Sequence, residues 1–192
     1  LYNSSFDIQS TLTNYIIESI DAEETVDLVT TFRSPLDIIH KISELYGDNK
    51  IPEISKKISI IDCFSPYYAF DDKVLKLDKK NYTKKGLKFY EADSFASIHT
   101  AANSSWYRFR NELKKIEGNT YRIPHRTIYD TLSSLIRFSS EEQYFLFLRH
   151  VINSEKSYGM ISLIIEPSTL NPNIKEELMC MVDIVIESNL EE

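Results

Sequence analysis

The chain is predicted to be an α/β protein, a mostly parallel sheet with helices on both faces, because strand-like runs alternate with segments of helical periodicity. Two features carry that prediction. Apolar runs of strand length recur at 26–31, 57–63, 121–132, 160–166 and 183–187. The segments between them repeat apolar residues every three or four positions and carry helix-boundary residues such as Ser34-Pro35, Gly47, Gly118 and Ser139-Ser140-Glu141-Glu142.

The first helix places Leu12, Tyr15, Ile16 and Ile20 on one face, and the strand 26–31 follows it. The next helix is expected to be capped by Ser34, with Pro35 at its first position, where a missing N–H costs nothing, and to stop at Gly47. After the strand 57–63, residues 71–90 are charged and poorly periodic, which suggests an insertion or hairpin over one sheet edge. Ile98, Ala102, Trp106, Phe109 and Leu113 then share one face of an amphipathic helix that Gly118 ends. Beyond the strand 121–132, a capping box at Ser139–Glu142 opens a helix through Phe145, Leu148 and Ile152 towards Gly159. A strand at 160–166, a short helix opened near Pro172 and a strand at 183–187 complete the alternation.

With 192 residues, 42% of them apolar and 12% aromatic, the chain is expected to form one domain spanning 1–192. Cys63 and Cys180 have no metal-ligand spacing, no disulfide is expected between them, and their usage suggests a reducing, cytoplasmic compartment. There is no signal-peptide pattern, and no apolar run reaches the roughly 20 residues of a membrane helix, so no membrane association is expected.

Function is argued from a motif that is nearly erased. Asn3-Ser4-Ser5-Phe6-Asp7-Ile8-Gln9-Ser10 precedes the first helix, where a nucleotide-binding protein would carry its phosphate loop. Such a loop needs glycines so that backbone N–H groups can wrap phosphates, a lysine for the β and γ oxygens, and a Ser or Thr for magnesium. Here Asn3 and Ile8 stand at the glycine positions and Gln9 at the lysine position; only Ser10 is retained. Four glycines in the whole chain are few for a protein that binds phosphates through tight turns.

Two further segments accompany this one. In Arg126-Thr-Ile-Tyr-Asp130-Thr131 a hydrophobic strand ends in an aspartate followed by a hydroxyl residue, the arrangement that holds a magnesium shell in phosphate-loop ATPases. In Leu28-Val-Thr-Thr-Phe-Arg-Ser-Pro35 a strand leaves into a Ser-Pro helix start. In this order the three segments resemble the RecA-like ATPases of the KaiC and archaeal RadA-paralogue group, over almost the whole chain. The resemblance implies a three-layer RecA-like fold whose first core strand precedes Asn3, with Leu1-Tyr2 as its tail.

Active members of that group follow the second strand with glutamates that orient the attacking water, whereas this chain has Arg33 after Phe32. An arginine cannot accept that proton. With glycines, lysine and glutamate all replaced, hydrolysis is not expected, because each supplies orders of magnitude in rate. The resemblance therefore implies a catalytically inactive homologue serving as a structural or regulatory assembly subunit, with no cofactor and with protein partners or further copies of itself. The vestigial nucleotide-binding residues would be Asn3, Gln9, Ser10, Asp130 and Thr131, and Arg33, Tyr67 and Tyr68 would contribute to an interface. The alternative is an ATP-binding KaiC/RadA-like ATPase of signalling or DNA recombination with a divergent loop, using Ser10 and Asp130 for magnesium and a lysine from elsewhere.

Several residues have plainer readings. Asp130 is either a residual magnesium ligand or a strand-terminal carboxylate capping a neighbouring loop; Asp62, at the end of a similar strand, is read as structural. Arg33 is either a trans-acting arginine or a surface charge at a helix start. His40, His99, His125 and His150 show no metal-ligand spacing, and a turn at Pro167 explains Glu166. Lys79, Lys80, Lys84 and Lys85, interleaved with Tyr82 and Phe89, form either a nucleic-acid surface or a solvated hairpin, and the net charge of −7 opposes the former.

Overall fold

The computed structural model describes residues 8–69, 71–117, 124–156, 160–163 and 171–184. In chain order the elements are α1 (Ile8–Asp21), β1 (Thr25–Thr30), α2 (Pro35–Tyr46), α3 (Ile51–Ile54), β2 (Ile58–Asp62), α4 (Ser65–Tyr68), α5 (Lys73–Lys84), β3 (Lys88–Glu91), α6 (Phe95–Glu117), β4 (His125–Tyr129), α7 (Glu141–Lys156), β5 (Met160–Leu163) and α8 (Pro172–Met181). Short 3-10 turns occupy Asp48–Lys50 and Leu132–Phe138. The five strands form one sheet in the order β3-β2-β1-β4-β5, and every pairing is parallel. The chain is thus an α/β protein with helices on both sheet faces.

The central strands β1 and β2 are buried along their whole length, as a sheet covered on both faces requires. Alternate side chains of β1 enter different cores. Val26 and Leu28 pack with Leu12 and Ile16 of α1, Ile38 and Ile42 of α2, and Leu75 and Tyr82 of α5. Val29 points the other way, to a core with Ile98 of α6, Tyr144 and Leu148 of α7, and Ile174 and Leu178 of α8.

Local signals explain the helix ends. Ser34 Oγ accepts the Leu36 N–H at 3.3 Å, Pro35 opens α2, and Gly47 stops it with a positive φ of 86° while donating to Ser43 O. In α7 the Ser140 hydroxyl accepts the Gln143 N–H at 3.3 Å.

Residues 71–90 correct the expectation of a hairpin or insertion: they supply α5 and β3, a full crossover unit of the sheet. The pattern was obscured because α5 buries a narrow stripe, Leu75, Lys79 and Tyr82, with a lysine at its centre. Asp72 caps the helix by accepting the Leu75 N–H at 2.9 Å. Of the strand expected over 121–132, residues 121–123 lie outside the described residues, the strand itself is His125–Tyr129, and a 3-10 turn starts at Leu132. Of the strand expected over 183–187, residues 183 and 184 are not in a strand and the rest lies outside the described residues, as do 164–166.

Gly86 joins α5 to β3 at φ 104°, and a Cβ there would stand 2.7 Å from Ser55 Oγ. Gly86→Ala is therefore expected to lower unfolding free energy by about 2 kcal/mol, through positive φ and the close approach together, as read from the shift in urea midpoint.

Candidate functional site

The chain runs outward from β1 through β2 to β3, then crosses to β4 and out to β5, so the order reverses between β1 and β4. Open α/β sheets bind ligands in the crevice outside the carboxyl ends of the strands at such a reversal. Here the crevice meets Thr31, Phe32 and Arg33 after β1 and Asp130 and Thr131 after β4.

Asp130 is fully buried and fills this position from inside. Its Oδ1 accepts the Thr31 N–H at 2.7 Å and lies 2.5 Å from the Thr31 hydroxyl; its Oδ2 accepts the Phe32 N–H at 3.2 Å and the Arg33 N–H at 2.9 Å. Three successive backbone N–H groups converging on one anion form a nest of the kind that binds phosphate or sulfate elsewhere. In this chain the anion is its own side chain. The Thr31 proton is shared with Thr131 O at 2.5 Å, and the Thr131 hydroxyl donates to Asp130 O at 2.7 Å, so Thr131 also faces inward. Burial pushes the Asp130 pKa up, against the opposing pull of the Thr31 hydroxyl and the three N–H donors.

Arg137, from the 3-10 turn, ties β1 to β2 on the same side. Its Nη2 donates to Thr31 O at 2.6 Å and to Cys63 O at 3.0 Å, and its Nη1 to the Tyr68 hydroxyl at 3.1 Å. Its guanidinium lies 4.7 Å from the Tyr67 ring centroid, 5.0 Å from Tyr68 and 5.3 Å from Phe138. Beside it Tyr67 (46%) and Tyr68 (55%) remain exposed, and Phe32, beyond β1, is exposed too (51%). Arg33 is half-buried, with one guanidinium nitrogen, Nη1, buried and without a hydrogen-bond partner.

Asp62 repeats the pattern one strand over. It accepts the Phe64 N–H at 3.0 Å, the Ser65 N–H at 2.8 Å and the Ser65 hydroxyl at 2.5 Å, and it pairs with Lys79 Nζ at 2.8 Å. Lys79 also reaches Glu91 at 2.7 Å. Burial disfavours the Lys79 ammonium, but the Asp62 charge and the hydrogen bonds of Asp62 and Glu91 outweigh it and raise its pKa. A cleft of about 270 Å³ lies beside this pair, bounded by Ser65, Leu75 and Ala92. Two carboxylates already neutralise Lys79 there, and Lys76 and Asp93 also line the cleft.

This geometry corrects the lysine surface read from the sequence. Lys79 is buried and ion-paired, Lys85 pairs with Asp48 at 3.2 Å, and Tyr82 is buried, so the expected interleaving of accessible lysines and aromatics is lost. Lys80 and Lys84 remain exposed on α5.

Asp27, Ser105 and His125 have the composition of a hydrolytic triad but the wrong connections. Ser105 donates to Asp27 rather than to the histidine, and His125 Nε2 lies 3.4 Å from Asp27 Oδ2 while its Nδ1 meets Thr25 Oγ1 at 2.9 Å. A serine bonded to the acid has no base to activate it. Arg108 reaches Ser59 Oγ at 2.8 Å and Ile58 O at 3.0 Å, so this buried cluster fastens α6 to the sheet. The His99 and His150 rings meet at 5.0 Å across α6 and α7, a neighbourhood invisible in sequence. Among the described residues no three His, Cys, Asp or Glu side chains converge to hold a metal ion.

Of the remaining residues of the expected phosphate site, Asn3 lies outside the described residues, and Gln9 and Ser10 fall in the first turn of α1. Thr31 and Arg137 were not foreseen. Thr31 could have been suspected as a hydroxyl residue directly after a strand, but nothing in the sequence marks Arg137.

Asp130→Ala is expected to lower stability by about 3 kcal/mol in denaturant unfolding, because it leaves the buried Thr31 N–H and the partly buried Phe32 and Arg33 N–H groups without an acceptor. Lys79→Met is expected to cost a similar amount, about 3 kcal/mol at neutral pH, by stranding Asp62. Because the folded-state pKa of Lys79 is raised, its contribution is complete below the unfolded lysine value of about 10.4 and is lost as pH rises through the folded value. The stability gap between wild type and Lys79→Met should therefore narrow only in that alkaline range, which unfolding midpoints measured across pH will show.

No known family model matches this chain, and a search of curated protein sequences finds no match.

Proposed function

We propose that the chain is a catalytically inactive RecA/KaiC-like ATPase homologue that serves as a structural or regulatory assembly subunit. The observation that carries this reading is the engagement of both Asp130 oxygens by Thr31, Phe32 and Arg33. A magnesium ligand must present an oxygen to the ion; Asp130 would have to abandon the two donors on one of its oxygens to do so, and each orphaned N–H group would cost about 1–3 kcal/mol. A nest filled by the chain's own carboxylate repels phosphate instead of binding it. The replacement of the phosphate-loop lysine by Gln9 and of the water-orienting glutamate by Arg33 points the same way.

The same end of the sheet supports the assembly half of the reading. Tyr67 and Tyr68 lie in solvent against the Arg137 guanidinium, and Phe32, two residues beyond β1, is exposed as well. Aromatic and arginine side chains grouped in this way are characteristic of interface centres. Tyr67 is held by its hydroxyl, which donates to Asp93 O at 3.1 Å, and Tyr68 by its bond to Arg137 Nη1. Ordered aromatics lose little further entropy when a partner covers them. Among the described residues no helix is long and apolar enough to cross a membrane.

Calorimetric titration of magnesium-ATP and of a non-hydrolysable analogue into the protein is the test. No heat is expected up to millimolar nucleotide. Micromolar binding that Asp130→Ala abolishes would overturn the proposal and make the carboxylate a working ligand.

A further inference from the structure

The cleft beside Lys79 lies at the carboxyl ends of β2 and β3, where Ser65 follows the first strand and Ala92 and Asp93 follow the second, and the first turns of α5 close it with Leu75, Lys76 and Lys79. Open α/β sheets take up ligands at the carboxyl ends of their strands. At about 270 Å³ the cleft is slightly smaller than the roughly 300 Å³ at which drug-sized molecules begin to fit, so its occupant has few heavy atoms. Pro66, Leu75 and Ala92 give it an apolar wall, and its polar side chains, Ser65 apart, carry charge.

Lys79 is the buried member of that charged set, 9% exposed, and its ammonium has three hydrogens to place. One goes to Asp62 Oδ2 at 2.8 Å and one to Glu91 Oε1 at 2.7 Å; among the described residues the third has no acceptor. Burial opposes the charge, but Asp62 and Glu91 together raise the Lys79 pKa, so the group keeps its proton and the third hydrogen is ready to donate. A buried charged donor without an acceptor is costly. An acceptor on a molecule in the cleft removes that cost.

The charges around Lys79 select the molecule. Lys76 and Lys79 stand against Asp62, Glu91 and Asp93, one negative charge in excess, so an anion such as phosphate meets net repulsion. A metal ion is opposed by two ammonium groups, and among the described residues no three His, Cys, Asp or Glu side chains converge to hold one. An amine alone would suit the carboxylates, yet it only donates and leaves the third hydrogen of Lys79 unanswered. A ligand with both a carboxylate and an ammonium meets both demands. Because Lys79 Nζ and Glu91 Oε1 are 2.7 Å apart, the two charges of the ligand must also be neighbours, as they are on the single α-carbon of an amino acid. The apolar wall suits an aliphatic side chain.

We propose that this cleft binds a small aliphatic α-amino acid, its carboxylate accepting from Lys79, its ammonium donating to Glu91 and Asp93, and its side chain against Pro66, Leu75 and Ala92. The proposal goes beyond the pseudo-ATPase reading and is independent of it, because it uses neither Asp130 nor any nucleotide.

Titration of L-leucine into the full chain, followed by amide NMR spectra, tests it. Shifts are expected at Lys79, Glu91, Ala92 and Asp93, saturating with a dissociation constant of about 1 mM or tighter. Isocaproate lacks the ammonium and isoamylamine lacks the carboxylate; each should bind about tenfold more weakly or worse, because a site built to pair a group rejects the analogue without it. Lys79→Met would strand Asp62 and lower stability, so Asp93→Asn, at an exposed position, carries the mutational test. Its thermal unfolding should match wild type, and it should weaken leucine several-fold while leaving isocaproate unaffected. The absence of shifts at these amides up to tens of millimolar leucine, or shifts confined to another part of the chain, would overturn the proposal. So would either half-molecule binding as tightly as leucine, an Asp93→Asn variant that binds leucine as wild type does, or inorganic phosphate bound more tightly than leucine, which would make the cleft an anion site.

Discussion

The carboxylate of Asp130 lies among three backbone N–H groups and a threonine hydroxyl, and most of the chemistry at the carboxyl end of this sheet follows from that contact. A parallel sheet leaves backbone groups unpaired where its strands end, and at the reversal of strand order two such ends diverge to leave a crevice. Many α/β proteins satisfy the exposed N–H groups with a bound phosphate. This chain satisfies them with its own side chain, which fixes the β1–α2 loop to the end of β4 and removes the positive potential a ligand would seek.

The device is used twice. Asp62 ends β2 as Asp130 ends β4, and it too gathers the N–H groups and hydroxyl that follow, adding Lys79 to balance its charge. Arg137 supplies the complement, donating to the carbonyls of Thr31 and Cys63 beyond β1 and β2. The backbone groups named here at three strand ends are thus paired internally, while Thr30 Oγ1, Arg33 Nη1 and Arg137 Nε are buried without a partner. Buried ionic groups are costly unless fully hydrogen-bonded, so this end of the sheet should be rigid and intolerant of single substitutions. The same end presents Phe32, Tyr67 and Tyr68 outward.

Much of this fold was legible because α2 and α8 carry boundary residues that act locally. Ser34, Pro35, Gly47 and Pro172 each work through their own backbone geometry, and the helices begin and end where those residues say. α5 and β3 were not legible, since a buried lysine at the centre of the helix stripe is stabilised only by Asp62 and Glu91, partners at a distance in sequence. The site divides in the same way. Asp130 could be singled out as a strand-terminal carboxylate, and the alternative that it caps a neighbouring loop is the one its geometry matches. Whether a carboxylate faces a ligand or a nest depends on the Thr31–Arg33 backbone, nearly a hundred residues away, which no local pattern reports. Arg137 was invisible for the same reason, because its acceptors are carbonyls, which every residue possesses.

Amide hydrogen exchange at Thr31, Phe32 and Arg33, with and without magnesium-ATP, tests the closed nest most directly. If Asp130 holds these N–H groups permanently, they should exchange only through global unfolding, and millimolar nucleotide should leave their rates unchanged. Exchange as fast as that of open loop amides, or protection that changes when nucleotide is added, would contradict the account and show that the nest opens to an outside anion.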